Sequence, residues 1–135
     1  NKVKKALEIF DVFQTLDREK LAKEFCKHPQ AILNKKFFIQ VNIGKEVNKS
    51  GIEPENSREF ISYCKNDLNL NIVGLMCIPP NGLDPSLFFN SLKRIANLSE
   101  IKLLSMGMSG DFEKAIGCGA DYVRIGTALF GERIL

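Results

Sequence analysis

The sequence lacks the residue patterns that bind metal ions or build a disulfide framework. Its 135 residues hold one histidine, His28, and four cysteines at positions 26, 64, 77 and 118, without a C-x-x-C pair. Cysteines spaced so widely, with no second histidine to complete a ligand set, predict no metal site. They favour free thiols in a reducing compartment, which places the protein in the cytoplasm.

Long hydrophobic runs and a strong charge of one sign are absent as well. No stretch approaches the roughly 18–20 apolar residues that a membrane-spanning helix needs, and the basic N-terminal segment has no long apolar core like that of a signal peptide. The net charge is only +3, from 19 basic and 16 acidic residues, and no aromatic residues interleave with the lysines. The composition therefore predicts a protein with neither membrane nor nucleic-acid partners.

What the sequence does contain is an alternation of short apolar runs with segments of helical spacing. Runs rich in Val, Ile, Leu and Phe occupy residues 11–16, 36–44, 71–79, 101–109 and 121–131. Their apolar residues are nearly continuous, which is typical of parallel strands covered on both faces. Helical spacing marks residues 17–27, 56–68, 83–98 and 110–119. Strands that alternate with helices predict an α/β fold with a parallel sheet.

Two helix starts carry specific signals. Asp17 and Asp84 each stand just before a helical segment, where an aspartate side chain can cap the free backbone N–H groups. Pro85 follows Asp84 and fits the first helical position, because that position needs no backbone N–H. We therefore expect both aspartates to be N-caps.

Two architectures are compatible with this alternation. Five strands and about four helices resemble a small, open, doubly wound sheet of the flavodoxin type. However, the chain begins with a helical segment, and a complete (β/α)8 barrel takes ~250 residues, so the chain would then be the C-terminal part of a barrel. The first residue is Asn1 rather than methionine, which fits a chain taken from a longer protein.

The ends of the last two apolar runs carry the residues that suggest a ligand. Barrels often bind a phosphate group at the loops after their last two strands. Ser109 follows one run, and Gly126 and Thr127 follow the other, so together they offer hydroxyls and unobstructed backbone N–H groups. Arg124 stands between apolar residues of its strand, and a guanidinium in such a place needs a partner, for which a bound ligand is one candidate.

Each of these residues also has a purely structural interpretation. Ser109 could be the N-cap of the following helix, and Gly126 could serve a tight turn. Arg124 could form an ion pair with Asp121 or a glutamate. Asp111, close to Ser109, argues mildly against an anion at this point. Spacing alone therefore leaves phosphate binding and simple turn chemistry both open.

The same residues belong to a longer motif that resembles one protein family. The segment "LSMGMSGDFEKAIGCGADYVRIGTALFGER" covers residues 104–133 and is similar to the signature of the pyridoxal phosphate homeostasis proteins. Further family motifs follow the same order along the chain, at residues 1–2, 15–18 ("TLDR"), 40–52 ("QVNIGKEVNKSGI") and 74–80 ("GLMCIPP"). The resemblance covers essentially the whole chain.

This resemblance implies a (β/α)8 barrel of the alanine racemase N-terminal type, of which residues 1–135 would be a partial pyridoxal-phosphate-binding domain with about strands four to eight. It implies that Ser109, Gly126 and Thr127 hold the phosphate of pyridoxal 5′-phosphate. Arg124 would face the pyridine nitrogen, and Asn1 would lie near the cofactor ring.

The family's Schiff-base lysine, at the end of the first barrel strand, has no counterpart here. We expect it in an N-terminal part outside this chain, so the sequence predicts no catalytic residue within it. Lys49 matches a family lysine but belongs to a loop, and we do not assign it that role.

The resemblance also implies a biological role. Such proteins are mostly monomeric and cytoplasmic. The resemblance implies that they bind pyridoxal phosphate and maintain its supply, with the enzymes that depend on it as candidate partners, and that they have no catalytic turnover. The alternatives are a racemase-like enzyme that uses pyridoxal phosphate, and a barrel enzyme that binds a sugar phosphate or flavin with the same loops. The first needs a tyrosine base, and the second needs a carboxylate or lysine at the strand ends.

Overall fold

The computed structural model describes residues 2–133, in which five strands alternate with helices. The strands are β1 (Val12–Leu16), β2 (Lys36–Gln40), β3 (Ile72–Met76), β4 (Leu103–Met108) and β5 (Tyr122–Arg124). The helices are α1 (Val3–Ile9), α2 (Glu19–Cys26), α3 (Pro54–Ser62, continued by a π-helical turn Tyr63–Asp67), α4 (Pro85–Leu98), α5 (Phe112–Gly117) and α6 (Thr127–Phe130).

The order of the strands decides between the two predicted architectures. The sheet order is β1-β2-β3-β4-β5, and every neighbouring pair is parallel. A doubly wound sheet reverses its strand order near the middle, whereas a barrel adds each strand beside the previous one. The prediction of a partial (β/α)8 barrel is therefore confirmed, and the open doubly wound sheet is wrong.

Contacts between strands that are not neighbours show that the sheet is curled into a half-barrel. In a flat sheet, strands three positions apart would be separated by ~14 Å. The rings of Phe38 in β2 and Tyr122 in β5 nevertheless lie 5.1 Å apart, and the Ser105 hydroxyl of β4 donates a hydrogen bond to Gln14 of β1. The carboxyl ends of the strands therefore face one shared concave region.

The core explains why the apolar runs are continuous. Phe37, Phe38 and Ile39, three successive residues of β2, are each fully buried, because both faces of the strand are covered. The Phe37 ring packs 4.9 Å from Phe25 of α2. Gly74 is required for the packing of Phe38, since a Cβ at position 74 would lie 2.2 Å from that ring.

Local signals predicted one helix start correctly and the other wrongly. Asp84 is the N-cap of α4: its Oδ1 accepts a hydrogen bond from the Ser86 N–H at 3.0 Å, and Pro85 is the first helical residue. Asp17 does not cap α2. Its Oδ2 accepts instead from the Gly51 N–H, 34 residues away, at 3.1 Å. The Asp17 carboxylate thus binds a distant loop and not the first turn of α2.

The last strand is shorter than its apolar run. Residues 121–131 predict one strand, but β5 comprises only Tyr122–Arg124 and the chain turns at Gly126 into α6. The end of the run therefore leaves the sheet, and the Gly126 and Ala128 N–H groups donate to the Ser109 hydroxyl oxygen instead of to a strand.

Candidate functional site

A cleft of about 520 Å³ lies at the carboxyl ends of β4 and β5. Ser109, Arg124, Gly126 and Thr127 all line it, so the structure brings together the four predicted site residues that it describes. The fifth, Asn1, lies outside the described residues. The other lining residues are Ile78, Pro79, Asn81, Met108, Gly110, Asp111, Phe130, Gly131 and Arg133.

Ser109 connects the two loops. Its Oγ accepts hydrogen bonds from the backbone N–H groups of Gly126 at 3.2 Å and Ala128 at 2.9 Å. It is not the N-cap of α5; that residue is Asp111, whose Oδ1 accepts from the Met108 N–H at 2.7 Å. The loop after β5 is thus bound to the loop after β4 through the Ser109 hydroxyl oxygen, which accepts from two backbone N–H groups.

Gly126 is not required by the backbone of its own turn. Its φ of −121° is one that any residue adopts, and a Cβ added there would meet no atom within 4 Å. Thr127, the first residue of α6, has an exposed side chain. Gly126 does stand at the turn into α6, and its backbone is open to the cleft that it lines.

Arg124 is half-buried and is held only by neutral oxygens. One guanidinium nitrogen, Nη1, donates to Ser105 Oγ at 2.8 Å and to the Ser105 carbonyl at 3.3 Å. The other, Nη2, donates to the Cys77 carbonyl at 2.9 Å. Burial lowers the pKa of Arg124 from its ordinary value, but a guanidinium remains charged at neutral pH.

The alternative interpretation of Arg124, an ion pair with Asp121 or a glutamate, is not observed in the described residues. The carboxylate of Asp121 accepts instead from the Leu104 N–H at 2.9 Å, and within residues 2–133 no carboxylate lies within 4 Å of the Arg124 guanidinium. Asp111 is near enough to favour the charged form of Arg124, but it hydrogen-bonds the backbone. The cleft therefore contains a cation without a direct counter-charge.

Sequence reasoning missed the residues that hold Arg124. Ser105 is fully buried and is the one polar residue of β4, and Gln14 stands with Thr15 among the apolar residues of β1, which is the signal that could have found them. Cys77 contributes its carbonyl rather than its thiol. Burial raises the pKa of that thiol to about 12, so it is protonated at neutral pH and is not a nucleophile.

A second, smaller cavity of about 230 Å³ adjoins the cleft and shares Ile78, Pro79 and Asn81 with it. Lys49 lines this second cavity, in the loop after β2, and does not line the cleft. Asn42 stabilises the same loop, because its side-chain amide donates to the Glu46 carbonyl at 2.9 Å and accepts from the Glu46 N–H at 3.1 Å. The motif at residues 40–52 therefore builds a folded loop beside the site.

Other kinds of site find little support in the described part of the chain. Across residues 2–133 no three His, Cys, Asp or Glu side chains are grouped so that they could hold a metal ion. Over the same residues, no helix has the length and apolar character that crossing a membrane requires; α4, the longest, has 14 residues. Neither Tyr63 nor Tyr122 lines the cleft.

Parallel strands in sequence order, with a cleft at the carboxyl ends of the last two, define the chain as part of a β/α barrel. The sequence profile of the alanine racemase N-terminal domain matches residues 1–134. The chain belongs to that family.

The relatives within the family share one name. The chain is 41% identical over 145 residues to the pyridoxal phosphate homeostasis protein of Aquifex aeolicus, and 39% identical over 142 residues to that of Vibrio cholerae. Each alignment covers 98% of this chain, but only 63% and 60% of the two relatives. The chain therefore spans about three fifths of the length of the curated relatives it matches.

Solved structures agree with this placement. PipY of Synechococcus elongatus, whose structure was solved with pyridoxal phosphate bound, is 30% identical and superimposes with a TM-score of 0.81, covering 97% of this chain and 66% of PipY. The structure of PipY without pyridoxal phosphate superimposes with a TM-score of 0.84. The half-barrel of this chain is thus similar to part of the PipY fold.

Proposed function

We propose that this chain binds pyridoxal 5′-phosphate in the cleft between the loops after β4 and β5. The observation that carries the proposal is the convergence of the Gly126 and Ala128 N–H groups on Ser109 Oγ, beside the Arg124 guanidinium. Backbone N–H groups and a hydroxyl at a strand end are usual ligands of a phosphate group, and the Arg124 guanidinium lines the same cleft, where it can contact another part of the ligand. The bound cofactor of PipY and the names of the curated relatives support the same ligand.

The proposed roles follow from the chemistry of each group. Ser109, the backbone at Gly126 and Thr127, and the Thr127 hydroxyl hold the phosphate. Arg124 faces the pyridine nitrogen, where its charge keeps that nitrogen unprotonated. When bound, pyridoxal phosphate supplies an aldehyde that reacts with amines and a ring that accepts electrons, more weakly when its nitrogen is unprotonated.

We further propose that the protein is a carrier rather than an enzyme. Residues 1–135 form part of a pyridoxal-phosphate-binding barrel domain, which acts as a monomer in the cytoplasm and maintains the supply of the cofactor to the enzymes that need it. The name homeostasis protein, shared by the curated relatives, favours this role. A racemase-like enzyme is less well supported, because no tyrosine lines the cleft within the described residues to act as the base.

Replacing Ser109 with alanine tests the phosphate site. The variant loses a hydroxyl whose proton can donate to the phosphate and whose oxygen holds the loops after β4 and β5 together, so we expect its affinity for pyridoxal phosphate to fall about tenfold. Its affinity for inorganic phosphate should fall by a similar factor, since both ligands share the phosphate group. Isothermal titration calorimetry measures both affinities.

Ser91→Ala is the matched control for this experiment. Ser91 lies on α4, outside the cleft, and its hydroxyl only donates to the Leu87 carbonyl one turn earlier. Its removal should leave both affinities unchanged. If Ser109→Ala bound both ligands as tightly as the unmodified protein, the phosphate would have to bind elsewhere.

A further inference from the structure

The guanidinium of Arg124 is supported by a hydrogen-bonded pair of side chains that spans the half-barrel. Ser105 on β4 is fully buried, and its hydroxyl donates to Oε1 of Gln14 on β1, 91 residues earlier in the chain. The same Ser105 oxygen accepts from Arg124 Nη1 at 2.8 Å. The three side chains thus form one continuous line from the first strand to the last.

The direction of these hydrogen bonds is fixed by chemistry. A guanidinium can only donate, so the Ser105 oxygen must accept from Arg124 and its proton must point elsewhere. Oε1 of Gln14 receives that proton, which leaves the lone pairs of Ser105 directed at Arg124. The guanidinium is therefore held in one orientation, with the Cys77 carbonyl on its other nitrogen.

The same arrangement holds Arg124 without neutralising it. All three of its acceptors are uncharged oxygens, from the Ser105 hydroxyl, the Ser105 carbonyl and the Cys77 carbonyl. A carboxylate at position 14 would have about the same size as the Gln14 amide and could also accept from Ser105, yet it would place a negative charge two hydrogen bonds from the guanidinium. The uncharged amide thus leaves the positive charge of Arg124 available to a ligand.

We infer that Gln14 and Ser105 are positioning residues for the pyridine ring of the cofactor: they orient the Arg124 guanidinium and leave its charge free to act on the ring nitrogen. This inference rests on the proposed function, because it concerns the same site. It assigns a role to β1, on the opposite side of the half-barrel from the phosphate loops.

Ser105→Ala tests the positioning role. The probes are pyridoxine 5′-phosphate, which contains the ring and the phosphate but no aldehyde, and inorganic phosphate, which has no ring. Because Arg124 loses its shortest hydrogen bond and its orientation, we expect the affinity for pyridoxine 5′-phosphate to fall about tenfold. The affinity for inorganic phosphate should change less than about twofold, since the loops after β4 and β5 are untouched.

A matched control separates positioning from the loss of a buried hydroxyl. Ser57 is also fully buried, and its hydroxyl donates to the Pro54 carbonyl at 2.6 Å, at the start of α3. Ser57→Ala should leave the ratio of the two affinities unchanged. If Ser105→Ala lost affinity for both ligands by the same factor, so that the ratio of the two affinities stayed unchanged, the positioning role would be wrong.

Gln14→Glu tests whether an uncharged side chain at position 14 leaves the charge of Arg124 free. This test does not depend on whether Ser105→Ala folds. The readout is the ring-nitrogen pKa of bound pyridoxine 5′-phosphate, followed by its ultraviolet absorbance as a function of pH. A carboxylate at position 14 offsets part of the charge of Arg124, so the protonation constant of the ring nitrogen should rise about tenfold.

The outcomes of this titration are distinguishable from a failure of the proposed function. An unchanged ring-nitrogen pKa in Gln14→Glu, with normal binding, would overturn the inference alone. If the unmodified protein bound neither pyridoxine 5′-phosphate nor pyridoxal phosphate, the proposed function and the inference would both be wrong.

Discussion

Replacing Gly107 with alanine should lower the free energy of unfolding by about 2–4 kcal/mol, with a fall in Tm of roughly 10 °C. Gly107 lies in β4 with a φ of +104°, a backbone conformation that strains any residue with a Cβ. An added Cβ would also lie 2.6 Å from the Ala115 Cβ and 3.1 Å from the Phe112 Cα of α5. Strain and overpacking therefore act together. Thermal and denaturant unfolding measure the loss.

Gly110→Ala is the control from the same motif. A Cβ at position 110 would meet no atom within 4 Å, and its φ is not in the left-handed region, so stability should change by less than about 0.5 kcal/mol. A Gly107→Ala variant as stable as Gly110→Ala would show that α5 does not pack as closely on β4 as described. The comparison matters for function, because this packing positions Ser109 two residues after Gly107.

Replacing Arg124 with glutamine should weaken the binding of pyridoxal phosphate roughly tenfold to a hundredfold. Glutamine keeps an amide donor but removes the charge and the second guanidinium nitrogen, which donates to the Cys77 carbonyl. Arg124 has no carboxylate partner within 4 Å in the described residues, so its charge is available to a ligand in the cleft that it lines. Equilibrium dialysis measures the affinity.

Arg94→Gln serves as the control for net charge. Arg94 lies on the exposed surface of α4 and does not line the cleft, so its replacement removes the same charge at a distance from the ligand. We expect an affinity within about twofold of the unmodified protein. Equal losses in the two variants would indicate that only the overall charge matters and that Arg124 does not contact the ligand.

Local sequence patterns predicted much of the fold because parallel strands buried on both faces leave a simple signal. The run at residues 36–44 contains Phe37, Phe38 and Ile39, and all three are fully buried. The start of α4 was predictable for the same reason, since Asp84 and Pro85 act on their immediate neighbours. The likeness of residues 104–133 to a known signature predicted that the ends of β4 and β5 would meet.

Long-range hydrogen bonds account for what the sequence could not predict. Asp17 has the residue type and the position of an N-cap, yet its carboxylate binds the Gly51 N–H of a distant loop. Gln14 and Ser105 are 91 residues apart, and only the curl of the sheet brings them together. Ser109 was predicted to be in the site, but its contacts with Gly126 and Ala128 depend on how β5 ends. No local pattern encodes such pairs.

Binding of the phosphate between the loops after β4 and β5 is tested most directly by an NMR titration of nitrogen-15-labelled protein with pyridoxine 5′-phosphate. We expect the backbone amide signals of Gly126 and Ala128 to shift with the added ligand and to saturate, because these N–H groups would exchange the Ser109 oxygen for the phosphate or share both. The Arg124 side-chain signal should shift in the same titration. If other signals shifted and saturated while these three stayed unchanged, the ligand would bind elsewhere and not at the ends of β4 and β5.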